Sequence, residues 1–134
     1  MLELGSAWTK GEPTKSTYQF EVLLALTNGI GFKLAQDFYW YNPARLPSPA
    51  AWVTVQRIRV KDAVSPIWWL SKTAWPKADN RSVLKEYSRS QLALFERGYN
   101  DGRRPSEHHV SPGGFSTRHL GAIPPNVLPI ENML

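Results

Sequence analysis

The sequence predicts an α/β fold, because helical and extended patterns follow one another along the chain. Residues 20–28, FEVLLALTN, form a mostly apolar helical run, and residues 32–42, FKLAQDFYWYN, alternate enough to be a strand with both faces partly buried. The chain has 134 residues, of which 42% are hydrophobic. That length suffices for one modest core, so we expect one domain or part of one.

Boundary signals predict the N-terminal elements. Residues 1–4, MLEL, alternate like the last residues of a strand, and we expect the beginning of that strand to lie outside the chain. Residues 16–19, STYQ, match a capping box, in which Ser16 caps the third amide of a helix and Gln19 reaches back. Gly29 is expected to close this helix in the left-handed conformation.

The middle of the chain predicts a loop between extended segments. Three prolines within residues 43–49 remove too many amide donors for an internal strand or helix, so residues 43–52 should form an ordered loop. Residues 52–60, WVTVQRIRV, nearly alternate and predict an extended segment with a basic edge, with a one-residue slip near Gln56 and Arg57. Residues 64–72, VSPIWWLSK, predict another strand, with Pro66 tolerated near its start or at an edge.

The C-terminal part shows less regular structure. Residues 88–91, SRSQ, form a second capping-box pattern, and the QLALFER run behind it predicts a helix that ends at Gly98. From Tyr99 onward Gly, Pro, Ser and His dominate, which predicts a docked or a disordered loop region. We therefore divide the chain into residues 1–80, with strands and one helix, and residues 81–134, an irregular region rich in proline and glycine.

Composition excludes several classes of protein. The sequence has no run of eighteen apolar residues and no N-terminal signal pattern. We therefore expect no membrane span and a cytoplasmic location. The chain has no cysteine, which removes disulfides, thiolate metal sites and a cysteine nucleophile. His108, His109 and His119 lack an HExxH spacing or an acidic cluster, so no metal site is expected.

The positive charge is concentrated in the middle of the chain. The net charge is +5, and residues 41–104 hold twelve Lys and Arg against five Asp and Glu, whereas both ends are close to neutral. A localised basic surplus indicates a polyanionic partner, although basic residues also serve simply to solvate a surface. Candidate DNA contacts lie on predicted edges and loops: Arg45, Arg57, Arg59, Lys61, Arg103 and Arg104. Of these, Arg57, Arg59 and Lys61 are expected to share one side of the extended RIRVKD segment and to neutralise successive phosphates.

Tryptophans form a second group of candidate binding residues. The chain has six of them, and Trp68 and Trp69 are adjacent on a predicted strand, so their side chains must point to opposite faces. Both can belong to a core, since indoles bury large areas. Alternatively one faces a pocket, where a flat indole can stack on an extruded base.

The chain resembles the DNA methyltransferases of the cytosine-N4 and adenine-N6 class, and most of all their cytosine-N4 members. The resemblance extends over nearly the whole chain, through segments that occur in the same order: GSAWTKGEPTKS, WYNPARLPSP, RIRVKDAVxxIWWLSKT, VLKEYS, RPSEH and GAIPPN. It implies a partial Rossmann-like sheet of the type that binds S-adenosylmethionine, with an irregular, DNA-facing C-terminal part. The absence of cysteine also favours methylation of an amine over methylation at carbon 5 of cytosine, which needs a thiolate.

The resemblance further implies how function divides between this chain and the rest of such an enzyme. The family's Pro-Pro catalytic loop would precede Met1, and its glycine-containing cofactor motif would follow Leu134, so the chain is expected to be an internal fragment that is inactive alone and binds no S-adenosylmethionine. Trp68 and Trp69 are placed near the flipped-base pocket, and Glu3 matches an acidic position beside the catalytic loop. Double-stranded DNA is the expected partner, residues 1–80 would be part of the catalytic domain, and residues 81–134 would form the target-recognition region. The competing hypothesis is a non-catalytic, basic DNA-binding module.

Overall fold

The computed structural model describes residues 1–98, 102–103, 109–110 and 117–130. The strands are β1 (Leu2–Glu3), β2 (Lys33–Tyr41), β3 (Val64–Ser71), β4 (Gly102–Arg103), β5 (His109–Val110) and β6 (Val127–Pro129), and the α-helices are α1 (Tyr18–Leu24) and α2 (Arg89–Arg97). The chain divides into a sheet unit, Met1–Lys77 with Pro125–Leu134, and a second unit, Ala78–Pro124. Helices and strands within one chain agree with the predicted α/β class.

A mixed sheet in the order β1–β3–β2–β6 organises the sheet unit. Strands β1 and β2 both run antiparallel to β3, and β6 is parallel to β2. The predicted strands at residues 32–42 and 64–72 are therefore confirmed. Trp68, opposite Leu2 on one side and Asp37 on the other, is 5% exposed and is the one buried hydrophobic residue among the described residues.

Pro66 lies inside this sheet without breaking it. Its register partner Tyr39 directs its own N–H away from β3, to the carbonyl oxygen of Asn126 at 2.9 Å, so the pair needs no donor from the proline. On the other side β1 reaches only as far as Ile67. The missing amide of Pro66 thus falls just beyond the end of its neighbour, as expected for a proline near a strand start.

Helix α1 begins one residue later than predicted, and the first capping box is wrong. Thr17 occupies the N-cap position and makes no side-chain cap bond, while Gln19 is buried. The Gln19 side-chain amide donates to the carbonyl oxygens of Leu4 and, at 2.8 Å, Gly5. Gln19 is therefore used to satisfy the carbonyls that follow β1, a tertiary role that no local pattern reveals.

The end of α1 and the segment after the proline loop both differ from prediction. The helix continues as a π-helical stretch, Ala25–Gly29, and the left-handed glycine is Gly31 (φ 93°) rather than Gly29. Residues 52–60 are not extended: Ala51–Val55 is a second π-helical stretch. The N–H of Gln56 donates to the carbonyl of Ala51 at 2.9 Å, so local backbone bonds override the alternating pattern.

The second unit contains a 3₁₀ turn (Asn80–Val83), α2 and the short antiparallel pair β4 and β5. The predicted start and end of α2 are confirmed, because the Ser88 hydroxyl oxygen accepts from the N–H of Gln91 at 3.2 Å and Gly98 follows the helix at φ 79°. Among the described helices of both units, none is long and apolar enough to cross a membrane.

In the second unit, the segment containing residues 119–122 docks on the chain just before α2. Lys85 and Ala122 exchange two backbone hydrogen bonds of 3.0 and 2.8 Å, and the Tyr87 hydroxyl oxygen accepts from the N–H of His119 at 3.0 Å. The Tyr87 ring meets Phe95 edge-on, with centroids 5.1 Å apart. Of the two alternatives predicted for the C-terminal region, this segment is the docked one.

Candidate nucleic-acid interface

A polar cleft of about 240 Å³ opens on one side of the sheet unit. Its wall combines the end of β1 and the residues after it, the proline loop, the segment before β3 and the start of β3 itself. Both signs of charge are present in this lining: Glu3, Gly5, Ser6, Trp8, Arg45, Ser48, Asp62 and Ser65. Such a cleft can offer hydrogen-bond acceptors and donors to a nucleobase that carries an exocyclic amine.

Arg45 is held in the cleft by contacts within the sheet unit. One guanidinium nitrogen donates to the Ser65 hydroxyl at 2.9 Å, and the guanidinium carbon lies 5.1 Å from the centroid of the Trp40 ring. The predicted DNA residue Arg45 therefore has a fixed position, and part of its hydrogen-bonding capacity is already in use.

Asn42, which sequence reasoning missed, shapes the loop that carries Arg45. It is completely buried, its N–H donates to the carbonyl of Ala63 at 2.8 Å, and its side-chain oxygen accepts from the N–H of Ala44 at 3.1 Å. The N–H of Arg45 in turn donates to the Asn42 carbonyl at 3.2 Å. Asn before Pro is a turn signal in sequence, and that signal could have identified the residue.

The basic residues of RIRVKD do not share one side of an extended chain, so that prediction is wrong. Arg57 turns the chain at φ 56° and is exposed. The Arg59 guanidinium donates to the carbonyl oxygen of Pro13 at 2.7 Å and stacks on Trp8 with 3.8 Å to the ring centroid. The Lys61 ammonium donates to the carbonyl oxygen of Pro43 at 2.7 Å. Arg57, Arg59 and Lys61, at every second position of the segment, thus have three different surroundings.

Strand register separates the two candidate pocket tryptophans. Ser65, Ile67 and Trp69 alternate with Trp68 along β3 and therefore share the opposite face of the sheet. Glu3 is the cross-strand neighbour of Ile67 and belongs to that same face, which is also the face where Arg45 contacts Ser65. Trp68 has almost no exposed surface, whereas Trp69 is half-buried, so only Trp69 has ring surface to offer on the side of the cleft.

The remaining candidates belong to the second unit. Arg104 and His108 lie outside the described residues, and for Arg103 and His109 only the backbone pairing of β4 with β5 is described. The His119 side chain is exposed. Within the described ranges, no three His, Asp or Glu side chains come together in a way that could hold a metal ion.

The comparisons with known proteins lead to DNA-modifying methyltransferases. The chain is 47% identical, over 135 aligned residues, to the type II methyltransferase M.PvuII of Proteus hauseri, and the match covers 98% of this chain and 40% of the relative. Among solved structures it is similar to the PvuII DNA methyltransferase (cytosine-N4-specific), with a TM-score of 0.67, 39% identity and coverage of 98% of this chain and 34% of that one. No family model matches the sequence.

These matches confirm the resemblance and the methyltransferase fold class predicted from the sequence. Both relatives align with almost every residue of this chain, so the similarity includes the sheet, the proline loop and the second unit alike. The chain spans about two fifths of the length of M.PvuII and about a third of the solved structure.

Proposed function

We propose that this chain is part of a site-specific DNA methyltransferase of a restriction-modification system, which transfers a methyl group from S-adenosylmethionine to the exocyclic amine of cytosine, at N4. The observation that carries the proposal is the 47% identity to M.PvuII across 98% of the chain. Cytosine is favoured over adenine because the similar solved structure is described as cytosine-N4-specific.

The polar cleft is the part of the chain that we assign to the target base. A cytosine amine donates hydrogen bonds, and Glu3 and Asp62 supply carboxylate acceptors in the cleft lining. Arg45, already aligned by Ser65, can donate to an acceptor on the base or to a phosphate. Trp69, on the same face of the sheet, supplies a ring on which an extruded base can stack.

The exposed basic side chains of the sheet unit are assigned to duplex DNA. Arg57 and Lys61 are exposed in the sheet unit, and Arg103 and Arg104 remain proposed contacts of the second unit. Phosphate contacts fix the position of a protein on the duplex, whereas the target base is selected by hydrogen bonds to its edges. In this scheme Arg57 and Lys61 position the DNA, and the cleft receives the base.

The cleft does not fit S-adenosylmethionine. Its volume of about 240 Å³ is below the roughly 300–1,000 Å³ of typical cofactor and ligand sites, and its lining lacks the glycine-rich turn from strand to helix that holds a nucleotide moiety. The sequence also contains neither a Ser/Asp-Pro-Pro-Tyr/Phe loop nor a Phe-x-Gly-x-Gly motif, so we propose that parts of the enzyme outside this chain supply the methyl donor site and the Pro-Pro loop. The chain alone should transfer no methyl group.

A segment exchange tests this function. Replacing the matching segment of M.PvuII with this chain should give an enzyme that methylates duplex DNA, and mass spectrometry of the digested DNA should detect N4-methylcytosine. Changing Glu3 to Gln, together with Asp62 to Asn, in this hybrid should lower methylation strongly. Each change removes the negative charge and replaces one carboxylate oxygen with an NH2 group that cannot accept from the amine, while the shapes of both side chains are kept.

Three results would contradict parts of the proposal. A folded hybrid that binds DNA without methylating it would favour the non-catalytic DNA-binding module. N6-methyladenine in place of N4-methylcytosine would show that the assignment to cytosine is wrong. Saturable binding of S-adenosylmethionine to the isolated chain in a calorimeter would show that the donor site does not lie elsewhere.

A further inference from the structure

Trp8 is the centre of a cluster of aromatic and basic side chains in the sheet unit, the Trp8 cluster. Its ring is stacked by the Arg59 guanidinium at 3.8 Å, met edge-on by Trp52 at 5.8 Å and approached by the Lys15 ammonium at 5.9 Å. Arg59 also donates to the carbonyl oxygen of Pro13 at 2.7 Å. A planar guanidinium can make such stacking and hydrogen-bonding contacts simultaneously, whereas a lysine ammonium cannot stack.

The Trp8 cluster joins two segments that are far apart in sequence. The first is a turn closed by a bridge between Trp8 and Lys15 and by the N–H of Ser16, which donates to the Ala7 carbonyl at 2.9 Å. The second is the RIRVKD segment, residues 57–62. A 3.5 Å ion pair between Lys15 and Asp62 adds a second link between them. Trp8 and Asp62 also line the polar cleft, so the cluster borders it.

Arg57 differs from Arg59 in its exposure and in its contacts. It is exposed, its backbone is left-handed (φ 56°), and it makes no hydrogen bond or ion pair with another described residue. The turn that presents Arg57 is held on one side by the N–H of Ile58, which donates to the Trp52 carbonyl at 3.0 Å. Arg59, two residues after Arg57, adds a side-chain anchor through its contacts with Trp8 and Pro13.

We propose that Arg59 is a positioning residue, which locks the RIRVKD segment onto Trp8, and that Arg57 is the residue of this pair that contacts a DNA phosphate. This division of roles rests on the proposed function, because it presupposes DNA binding. It replaces the simpler hypothesis that Arg57 and Arg59 contact successive phosphates.

Variants that conserve charge distinguish the two hypotheses. Arg59→Lys keeps the positive charge but loses the planar stacking, and Trp8→Leu removes the ring without changing any charge. If Arg59 positions Arg57, both variants should weaken binding of the chain to a short duplex by about two- to five-fold, the effect of losing one cation–π contact. If Arg59 contacts phosphate itself, Trp8→Leu should bind as the wild type does, because it leaves the Arg59 guanidinium in place.

The dependence of binding on salt identifies the phosphate contact. Arg57→Gln should reduce the slope of log K against log salt by about 0.9, the value for one neutralised phosphate. In the Arg57→Gln background, Arg59→Lys and Trp8→Leu should cause no further loss of affinity, since the residue that they position is gone. Lys33→Gln, which removes an exposed charge at the start of β2, is the matched control for net charge.

Fluorescence anisotropy with the 134-residue chain gives both readouts, and circular dichroism shows whether each variant is folded. Trp8→Phe keeps a ring for Arg59 and should restore wild-type affinity, so it replaces Trp8→Leu as the decisive variant if the latter unfolds. Additive losses from Arg57→Gln and Arg59→Lys, or a Trp8→Phe variant as weak as Arg59→Lys, would overturn the inference alone. A wild-type chain without salt-dependent DNA binding would overturn the proposed DNA contact and this inference together.

Discussion

Truncation of Trp68 to alanine should remove a large part of the stability of the sheet unit. Trp68 is 5% exposed and lies between Leu2 of β1 and Asp37 of β2, so its indole fills the space where three strands meet. Replacement of a buried tryptophan by alanine costs about 3–5 kcal/mol, through lost burial and the cavity left behind. For a domain whose total stability is on the order of 5–15 kcal/mol, such a loss shifts or abolishes the unfolding transition.

Urea denaturation followed by far-ultraviolet circular dichroism measures this loss, with Trp75→Ala as the matched control. Trp75 is 88% exposed, and its truncation should change the free energy of unfolding by less than about 0.5 kcal/mol. Trp68→Phe, which keeps a ring, provides a milder variant in case Trp68→Ala does not fold. Equal midpoints for Trp68→Ala and Trp75→Ala would refute the assignment of Trp68 to the core.

Two further predictions concern single contacts. The Tyr39 hydroxyl donates to the Asp37 carboxylate, and this hydrogen bond raises the pKa of Tyr39 above its usual value of 10.0. Because the folded-state pKa is raised, the bond stabilises the fold below about pH 10, and this stabilisation is lost as the pH rises through the pKa of Tyr39. Asp37→Asn should therefore shift the appearance of tyrosinate absorbance to lower pH. An unchanged titration of Tyr39 in this variant would contradict the prediction. In the second unit, a Cβ on Gly121 would lie 2.7 Å from the Lys85 carbonyl oxygen, so Gly121→Ala should cost about 1–3 kcal/mol and expose the Lys85 amide to hydrogen exchange. Gly29→Ala, where nothing lies within 4 Å, is its control, and equal stabilities of the two variants would refute the close approach.

Elements with strong local signals were predictable from sequence. Strand β2 follows an aromatic alternation, and α2 begins at a serine cap and ends at a left-handed glycine, so the information lies within a few residues of each boundary. Gln19 and residues 51–55 were mispredicted for the opposite reason. The Gln19 amide satisfies carbonyls fourteen and fifteen residues away, and a π-helical stretch was hidden by an alternating pattern.

The types of residue at the candidate interface were predictable, but not their individual surroundings. Sequence reasoning selected Arg45, Arg57, Arg59 and Lys61 because a basic side chain beside prolines or on an exposed edge suits a polyanion. Whether such a side chain is available depends on distant partners: Pro13 and Trp8 for Arg59, and Ser65 for Arg45. These partners are brought into place only by the fold.

The basic surplus of the chain therefore overstates the number of phosphates that it can neutralise. If each of the twelve Lys and Arg of residues 41–104 neutralised one phosphate, the slope of log K against log salt would be about −11. Arg59 and Arg45 donate to protein oxygens and stack on rings, and Arg81 makes an ion pair of 2.6 Å with Asp79. Positive charge that holds loops in shape contributes to recognition through geometry, and this contribution, unlike a phosphate contact, is not weakened as the salt concentration rises.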